Sequence, residues 1–462
     1  MTTTAGYDGV VTKSRLRRAD AVTLLTVYLV LLMAIPAVLV FAPLGGAGGP
    51  ATVFAAVLFV FYLVTWLRPV PGPVPGPARS PQPVRLAVIL FACVILASYV
   101  SANRHTLPTL EKNGADRGLI SLAGWLGVLL IAADGIDSMD RLRTLVRRVV
   151  FGATAMAVLG MTQFFTGLDA TKYIKIPGLV ALAPFTDVLS RADFNRPAAT
   201  ATHPIEFGAV LAMSLPLAIH QARFAPPGSR FRRWTQVGLI GMTLPMTVSR
   251  SAILGFAVCM IVILPTWPKW DRRVAYVAML VGLVALFATV HGLSGTIFGL
   301  FSNISSDNST ASRTGALSAA GPYVTQHPWF GHGFGTFLPQ TYFFTDDQYV
   351  NTIIETGVIG LLALLGLFAT GWLTARSARR TSVVPEHRDL AQSLAASVAV
   401  AAVAFATFDA LSFPIAAGLT FLVIGCAGAL RRLVRERDPA VDPGLLVSGS
   451  EADDRVSATG TG

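Results

Sequence analysis

The chain has 462 residues, of which 53% are hydrophobic and 13% charged, and its mean hydropathy is +0.61. So few polar residues cannot cover several soluble domains, which excludes an ordinary soluble protein and predicts a polytopic membrane protein. The net charge of +11 does not predict nucleic-acid binding, because the basic residues lie in short loops between apolar segments, where they set membrane orientation.

Apolar windows long enough to cross a ~30 Å hydrocarbon core recur along the chain. The first is followed closely by a second, so we expect it to stay as a membrane anchor rather than act as a cleaved signal. The predicted fold class is therefore an all-α polytopic membrane protein with about twelve transmembrane helices and a large periplasmic loop region before the tenth span. The predicted spans are 21–42, 51–67, 84–101, 118–133, 148–165, 203–220, 234–249, 251–267, 274–292, 350–375, 389–408 and 411–430.

These spans divide the chain into three predicted parts. Residues 1–20 form a basic cytoplasmic N-terminus, residues 21–431 form the transmembrane helical domain, and residues 432–462 form a polar, disordered cytoplasmic tail. The helical domain includes two long periplasmic loops, at 166–202 and 293–349. Loops of this length between apolar spans are more often functional than merely connecting, so we expect the chemistry there.

The stretch PMTVSRSAILGF places Arg250 in a run that has no other charged residue from Val237 to Leu264. Both flanks of this run, ARFAPPGSRFRR and PKWDRR, are basic and should be cytoplasmic, which predicts a hairpin rather than one long helix. In that topology 27 of the 36 lysines and arginines lie inside, both termini are cytoplasmic, and Arg250 lies at the outer face. An arginine that only anchors the turn to lipid phosphates is the alternative.

Basic residues on the predicted outer side are disfavoured by the positive-inside rule, so the presence of each requires an explanation. Arg191 and Arg196 precede the sixth span, and Arg313 lies in SDNSTASRTGALSAAG, where small residues predict the beginning of a helix. A guanidinium and a helix N-terminus can hold one anion together, because guanidinium matches phosphate oxygens in a bidentate manner. A solvated loop arginine is the plainer alternative for Arg313.

HPWFGHGFGTF, at residues 327–337, matches neither a P-loop nor a dinucleotide fingerprint, and its glycines and aromatics predict a compact turn on the membrane surface. Its two histidines have no cysteine or acidic partner at zinc spacing, so we expect no metal. The stretch TDDQYVNTIIETGVIG follows, with Asp346 and Asp347 at the mouth of the tenth span and Glu355 deeper. A carboxylate there could accept a proton from a sugar hydroxyl, or could only favour a helix N-terminus.

The sixth span begins with THPIEFG, which contains His203 and Glu206. A histidine at the same predicted face as Arg250, Arg313 and Asp346 is part of a group rather than a lone residue. The spans contain almost no ionisable residue near mid-depth, whereas ion-coupled transporters usually need acidic groups or broken helices there. The polar residues that carry the function are therefore predicted to lie at the outer membrane–water interface.

In order, THPIEFG, TVSRSAILGF, SRTGALSAAGPYVTQHPWFGHGFGTF and DDQYVNTIIETGVIGL resemble the O-antigen ligase and O-antigen polymerase family of bacterial envelope glycosyltransferases, over about residues 195–370. The resemblance implies a multi-spanning, metal-independent enzyme without cofactors that takes a glycan from a polyprenyl diphosphate carrier at the periplasmic face. It implies that Arg250 and Arg313 bind the diphosphate. Asp346 stands where the family has a histidine, and Asp347 where asparagine is usual.

Together these features predict an inverting displacement in which an acceptor hydroxyl attacks the anomeric carbon. Asp346, Asp347 or His203 takes the proton, while Arg250 and Arg313 hold the departing diphosphate. Secondary substrate contacts are predicted at Arg191, Arg196, Glu206, Glu355 and Gln348. The expected partners are a polyprenyl-diphosphate-linked glycan donor, a glycan or lipid acceptor and membrane lipids, in the bacterial inner membrane. Ligase and polymerase both stay open, and a multi-spanning lipid or solute transporter is the alternative function.

Overall fold

The computed structural model describes residues 20–67, 82–104, 106–182, 188–191, 194–302 and 308–437. The predicted N-terminal segment and tail therefore lie almost entirely outside the described residues. Helices dominate, and strands form two short antiparallel pairs. In the first, β1 (Leu39–Val40) pairs with β2 (Val180–Ala181); in the second, β3 (Leu189–Arg191) pairs with β4 (Phe194–Arg196).

The helices follow the apolar windows along the chain. They are α1 (Ala21–Ala34), α2 (Pro50–Leu67), α3 (Pro83–Ala102), α4 (Thr109–Gly135), α5 (Met139–Thr166), α6 (Pro204–Arg223), α7 (Arg230–Met246), α8 (Arg250–Ile263), α9 (Lys269–Thr289), α10 (Leu293–Ser302), α11 (Asn308–Gln326), α12 (Gln348–Thr381), α13 (Pro385–Phe405) and α14 (Pro414–Arg437). The large loop predicted before the tenth span thus contains α10 and α11, and α14 continues six residues past the predicted end of the helical domain at 431.

Within the described ranges, nine helices are long and apolar enough to cross a membrane: α2 to α6, α9, and α12 to α14. Two further apolar helices, α1 and α8 with its following turn, are shorter, and α7 has 17 residues. The chain is therefore an integral membrane protein of the all-α class. A helix lies at each of the twelve predicted positions, while the number that actually cross the bilayer stays a prediction.

Polar contacts define two ends of the helical bundle. At the end that we call the basic end, Arg223 at the close of α6 pairs with Asp389 of α13 and, at 3.0 Å, with Asp271 of α9. At the opposite end, which we call the site end, the first turns of α6, α12 and α14 meet. There Glu206 of α6 accepts a hydrogen bond from the backbone amide of Ile415 at 2.7 Å.

The helices differ strongly in how deeply they are buried. In α6 and α14, 89% of the apolar window is buried, and small residues let their neighbours approach closely. On α14, a Cβ added to Gly425 would lie 2.7 Å from the carbonyl oxygen of Leu129 in α4. By contrast, α9 contributes one buried residue, Leu286. The core of the bundle therefore lies around α6 and α14, and α9 stands at its edge.

Helix α12 is interrupted at Gly357, where φ is 69° and ψ is −171°. The segment 327–337 fills the break with its own backbone. Its amides donate to the carbonyls before the break, and its carbonyls accept from the amides after it. The four bonds are His332 N to Ile354 O at 2.8 Å, Gly333 N to Glu355 O at 2.9 Å, Val358 N to Pro328 O at 2.9 Å, and Ile359 N to Trp329 O at 3.4 Å. The segment is compact, as predicted, but it completes a helix instead of forming a separate turn.

Glycines are required where this segment meets the helix. Gly331 and Gly357 have φ values of 70° and 69°, in the left-handed region that side chains disfavour. A Cβ at Gly331 would lie 2.2 Å from the carbonyl carbon of Glu355, and one at Gly357 would lie 2.3 Å from that of Trp329. The spacing of glycines in the FGHGFG and ETG motifs therefore reflects backbone contact, not a phosphate loop.

We expect Gly357→Ala to destabilise the protein by more than about 1 kcal/mol, because alanine is strained at positive φ and its methyl group has no room. Gly366→Ala, in the same helix, is the matched control, since a Cβ there meets nothing within 4 Å. Thermal unfolding of the two variants in detergent measures the difference. Equal unfolding temperatures would contradict this account of the motif.

Candidate functional site

The apolar run around Arg250 is divided as predicted, with α7 ending at Met246 and α8 beginning at Arg250. The intervening residues form a tight turn in which the Thr247 hydroxyl donates to the Leu244 carbonyl at 2.8 Å. Arg250 is the first residue of α8 and is partly buried. The turn thus holds a guanidinium at the N-terminus of a helix, where both the cation and the free backbone amides attract an anion.

Two non-glycine residues in the described chain have positive φ, and both lie in the loops that build this site. They are Val248, with φ of 47°, in the turn before Arg250, and Ala199, with φ of 53°, in the loop before α6. For a β-branched residue such as valine this conformation is a genuine outlier. Gln163 holds the second loop, because its side-chain oxygen accepts from the amides of Ala198 at 3.1 Å and Ala199 at 2.7 Å. Such strain costs about 1–3 kcal/mol and clusters at functional sites.

Arg196 connects these two loops. It ends β4, and its Nε donates to the carbonyl oxygen of Thr247 at 3.4 Å, so it lies against the turn that carries Arg250. Burial, and then the neighbouring charge of Arg191, lowers the pKa of Arg196 to about 10, which leaves it cationic at neutral pH. Arg196, from the predicted loop 166–202, therefore lies against the turn that carries Arg250, and Arg191 of the same loop is close enough to influence the pKa of Arg196.

His203 is the N-cap of α6, where its Nδ1 accepts a hydrogen bond from the Ile205 amide at 3.2 Å. Burial, and then the charge of Arg196, lowers the pKa of His203 to about 4 against the opposing charge of Asp346. The ring is therefore neutral at pH 7, with its proton on Nε2 because Nδ1 is an acceptor. In this state His203 offers a hydrogen-bond donor and is a poor proton acceptor.

The two adjacent aspartates before α12 have different surroundings. Asp347 is the N-cap of α12, and its Oδ1 accepts from the amides of Tyr349 at 2.8 Å and Val350 at 3.3 Å. Asp346 is half-buried and lies close enough to influence the pKa values of both His203 and Asp409. Of the pair, Asp346 is thus the carboxylate that borders the cluster of charged groups.

Asp409, which the sequence reasoning missed, lies in the connection between α13 and α14. Its carboxylate accepts from the Ser412 hydroxyl at 2.5 Å and from the Asn351 side chain at 3.4 Å. Burial, with a smaller contribution from the charge of Asp346, raises the pKa of Asp409 to about 6 against the opposing effect of the two hydrogen bonds. The signal that could have found it is a lone acidic residue in the two-residue gap between the predicted spans 389–408 and 411–430.

Three residues predicted as secondary substrate contacts are engaged within the fold. Glu206 is fully buried, and its carboxylate accepts four hydrogen bonds, from the amide and hydroxyl of Thr202 and from the amides of Ile415 and Ala416. Gln348 accepts from the Leu411 amide at 2.7 Å, and Glu355 from the Phe337 amide at 3.3 Å. They hold α6 and the first part of α12 to neighbouring segments, and their contact with substrate stays a prediction.

Arg313 lies in the second turn of α11 rather than at its beginning, and its side chain falls outside the described residues. The later part of α11 packs at the site end, where Ala320 and Tyr323 belong to a hydrophobic cluster with Phe337 and Ile354, and the Tyr323 and Phe337 ring centres lie 5.3 Å apart. The meeting of Arg313 with Arg250 therefore stays a prediction. Within the described ranges, no group of three or more His, Cys, Asp or Glu side chains is arranged to hold a metal ion.

Arginines and carboxylates thus lie at one end of an apolar helical bundle, an arrangement chemically suited to binding an anionic group. Residues 237–365 match the family model described as O-Antigen ligase. The match runs from α7 into α12 and includes the Arg250 turn, Asp346 and the break at Gly357. It confirms, for this part of the chain, the predicted resemblance to the O-antigen ligase and polymerase family, whose members are glycosyltransferase-like proteins of envelope polysaccharide assembly. No curated protein matches the chain.

The raised pKa of Asp409 predicts how stability depends on pH. The pKa of Asp409 rises from its ordinary value of 3.8 to about 6 in the folded state, so the folded protein holds this proton more tightly than the unfolded chain does. The stability that this gives is fully present below the lower value and is lost as pH rises through the higher one. Asp409→Asn removes the dependence, so it should raise the melting temperature relative to wild type at pH 7.5 more than at pH 4.5. The exposed Asp137→Asn is the control, and the same shift at both pH values would refute the assignment.

Proposed function

We propose that the protein transfers a glycan from a polyprenyl diphosphate carrier to an acceptor hydroxyl at the periplasmic face of the bacterial inner membrane. One observation carries the proposal: the Arg250 turn, Arg196, His203 and Asp346 lie together at the site end of the bundle. Cations for a diphosphate thus stand beside a carboxylate for a hydroxyl proton. The excess of lysine and arginine at the basic end supports a periplasmic site end.

The leaving group in this reaction is a diphosphate, on which negative charge grows as the bond to the anomeric carbon breaks. In this proposal Arg250 and Arg196 bind the diphosphate as this charge develops, and Arg313 adds to them from α11. Fixed donors aimed at developing charge need no rearrangement during the reaction, and one such donor is typically worth ~10² to 10³ in turnover. This protein-based neutralisation is the basis for proposing a reaction without a metal ion.

The proton of the acceptor hydroxyl needs a base on the opposite side of the anomeric carbon from the leaving group. Asp346 suits this role best, because Asp347 caps α12 and His203 already uses Nδ1 as an acceptor. The acceptor oxygen then forms its bond to the anomeric carbon with inversion, while the carrier leaves as a diphosphate. Asp409, with a pKa of about 6, is a second carboxylate beside Asp346.

One observation favours the alternative transporter function. The interrupted helix α12 is the kind of element on which transporters build ion and substrate sites, since a break frees backbone groups for binding. In α12, however, four of the freed groups bond to the segment 327–337. A break filled in this way supports a fixed scaffold better than an ion site, so we retain the enzyme as the proposed function.

Arg250→Lys separates the two functions, because lysine keeps the charge but loses the fork that binds two phosphate oxygens. For the enzyme we expect product formation to fall by ~10² or more, since a fixed donor to the developing charge is lost. Lipid-linked donor should accumulate in cells at unchanged expression, as measured by mass spectrometry of extracted lipids. A mild effect of the variant would instead favour the transporter.

Asp346→Asn tests whether Asp346 is the general base of the reaction. Loss of a general base typically costs ~10² to 10⁴ in rate, so we expect a decrease of that order in kcat with little change in donor KM. Asp347→Asn is the matched control, because asparagine also caps helices well and should give the smaller loss. An Asp346→Asn variant as active as wild type would remove Asp346 from the mechanism and return the choice to the other candidates.

A further inference from the structure

A large apolar cleft separates α9 from the rest of the bundle. Its volume is about 1030 Å³, and its walls come mainly from α6, α7, α8 and α9. Apart from a few polar groups at the basic end, the lining consists of aliphatic, aromatic and glycine residues. A cleft of this size and polarity at membrane depth is suited to a hydrocarbon chain.

The cleft runs from one end of the bundle to the other. At the basic end it reaches Arg223, Trp267 and Asp271; at the site end it reaches Pro245. Pro245 lies two residues before Thr247, whose carbonyl binds Arg196. The lining residues extend along all of α7, which is about 26 Å long at 1.5 Å per residue and nearly matches a ~30 Å hydrocarbon core.

Helix α9 is attached to the bundle chiefly near its two ends. Near its beginning Asp271 pairs with Arg223 at 3.0 Å, and the same guanidinium lies 4.3 Å from the Trp267 ring centre. Near its end Leu286 packs in a cluster with Met246 and Val248 beside the Arg250 turn. Between these contacts α9 has no buried residue, so the cleft can be reached from the side.

We propose that this cleft holds the isoprenoid chain of the donor, which enters laterally between α7 and α9. The inference rests on the proposed function and adds the location of the lipid. A polyprenyl diphosphate has one anionic head and one long apolar chain, and here an apolar cleft opens directly beside an arginine-bearing turn. With the diphosphate at Arg250 and Arg196, the chain has a continuous apolar path toward the basic end.

Two glycines of α7 allow the cleft to be filled without disturbing the fold. Gly238 and Gly241 line it, and a Cβ added at either position meets nothing within 4 Å. Gly238→Phe and Gly241→Phe should therefore place a ring in the cleft. Gly366→Phe is the matched control, because Gly366 is also a helical glycine with open space around it but lies on the exposed surface of α12, outside the cleft.

The test measures binding of two probes, dimethylallyl diphosphate and a long-chain polyprenyl diphosphate, to the full-length protein in detergent by native mass spectrometry. The single isoprenoid unit of the first probe is too short to extend past Gly241. We expect Gly238→Phe and Gly241→Phe to weaken long-chain binding at least tenfold and to leave dimethylallyl diphosphate binding unchanged. Gly366→Phe should bind both probes like wild type. Unchanged dimethylallyl diphosphate binding also shows that the filled variants are folded.

Long-chain binding by the filled variants equal to that of wild type would overturn the cleft proposal and leave the proposed function intact. Loss of co-purified phospholipid from these variants, with polyprenyl diphosphate retained, would overturn it in favour of ordinary acyl chains. A wild-type protein that binds neither probe and transfers no glycan would overturn the proposed function, and the cleft proposal with it.

Discussion

The pairing of backbone groups across the break in α12 is the interaction on which the site end depends. An interrupted helix in a membrane protein is tolerated only where its freed N–H and C=O groups find partners, because lipid supplies none. Here the segment 327–337 supplies them, and in doing so it fixes the chain that leads into Asp346. The break also separates a first part of α12 from Val358–Thr381, which at about 36 Å is long enough to span a bilayer alone. The first part is thus free to carry site residues.

Buried side chains then hold the remaining helices to this frame. The Glu206 carboxylate joins α6 to the beginning of α14, and Gln348 joins α12 to the connection between α13 and α14. Buried polar groups are costly unless paired, so these bonds permit little relative movement of the helices. The free-energy cost of bringing Arg196, Arg250 and Asp346 near one another is therefore offset by hydrogen bonds of residues that need not contact substrate.

The sequence predicted the parts of this structure that charge and hydropathy encode. The hairpin at Arg250 followed from two basic flanks, and the helix positions followed from apolar windows. Asp409 was missed because it sits between two apolar spans that read as almost continuous. The roles of the glycine motif and of Glu206 were also hidden, because their partners lie about 25 and 209 residues away and leave no local periodicity. Pairings of this kind are set by tertiary packing.

Val248 shows how the fold preorganises the proposed anion site. Glycine would adopt its left-handed backbone freely, yet the position is occupied by a buried valine, which disfavours that conformation and belongs to a hydrophobic cluster with Leu286 and Phe164. A turn clamped in this way has few alternative shapes, so Arg250 emerges from a backbone whose direction is already settled. If Arg250 binds a diphosphate as proposed, the conformational entropy of this turn is lost during folding rather than on binding, so affinity would depend on packing at Val248, which does not contact the ligand.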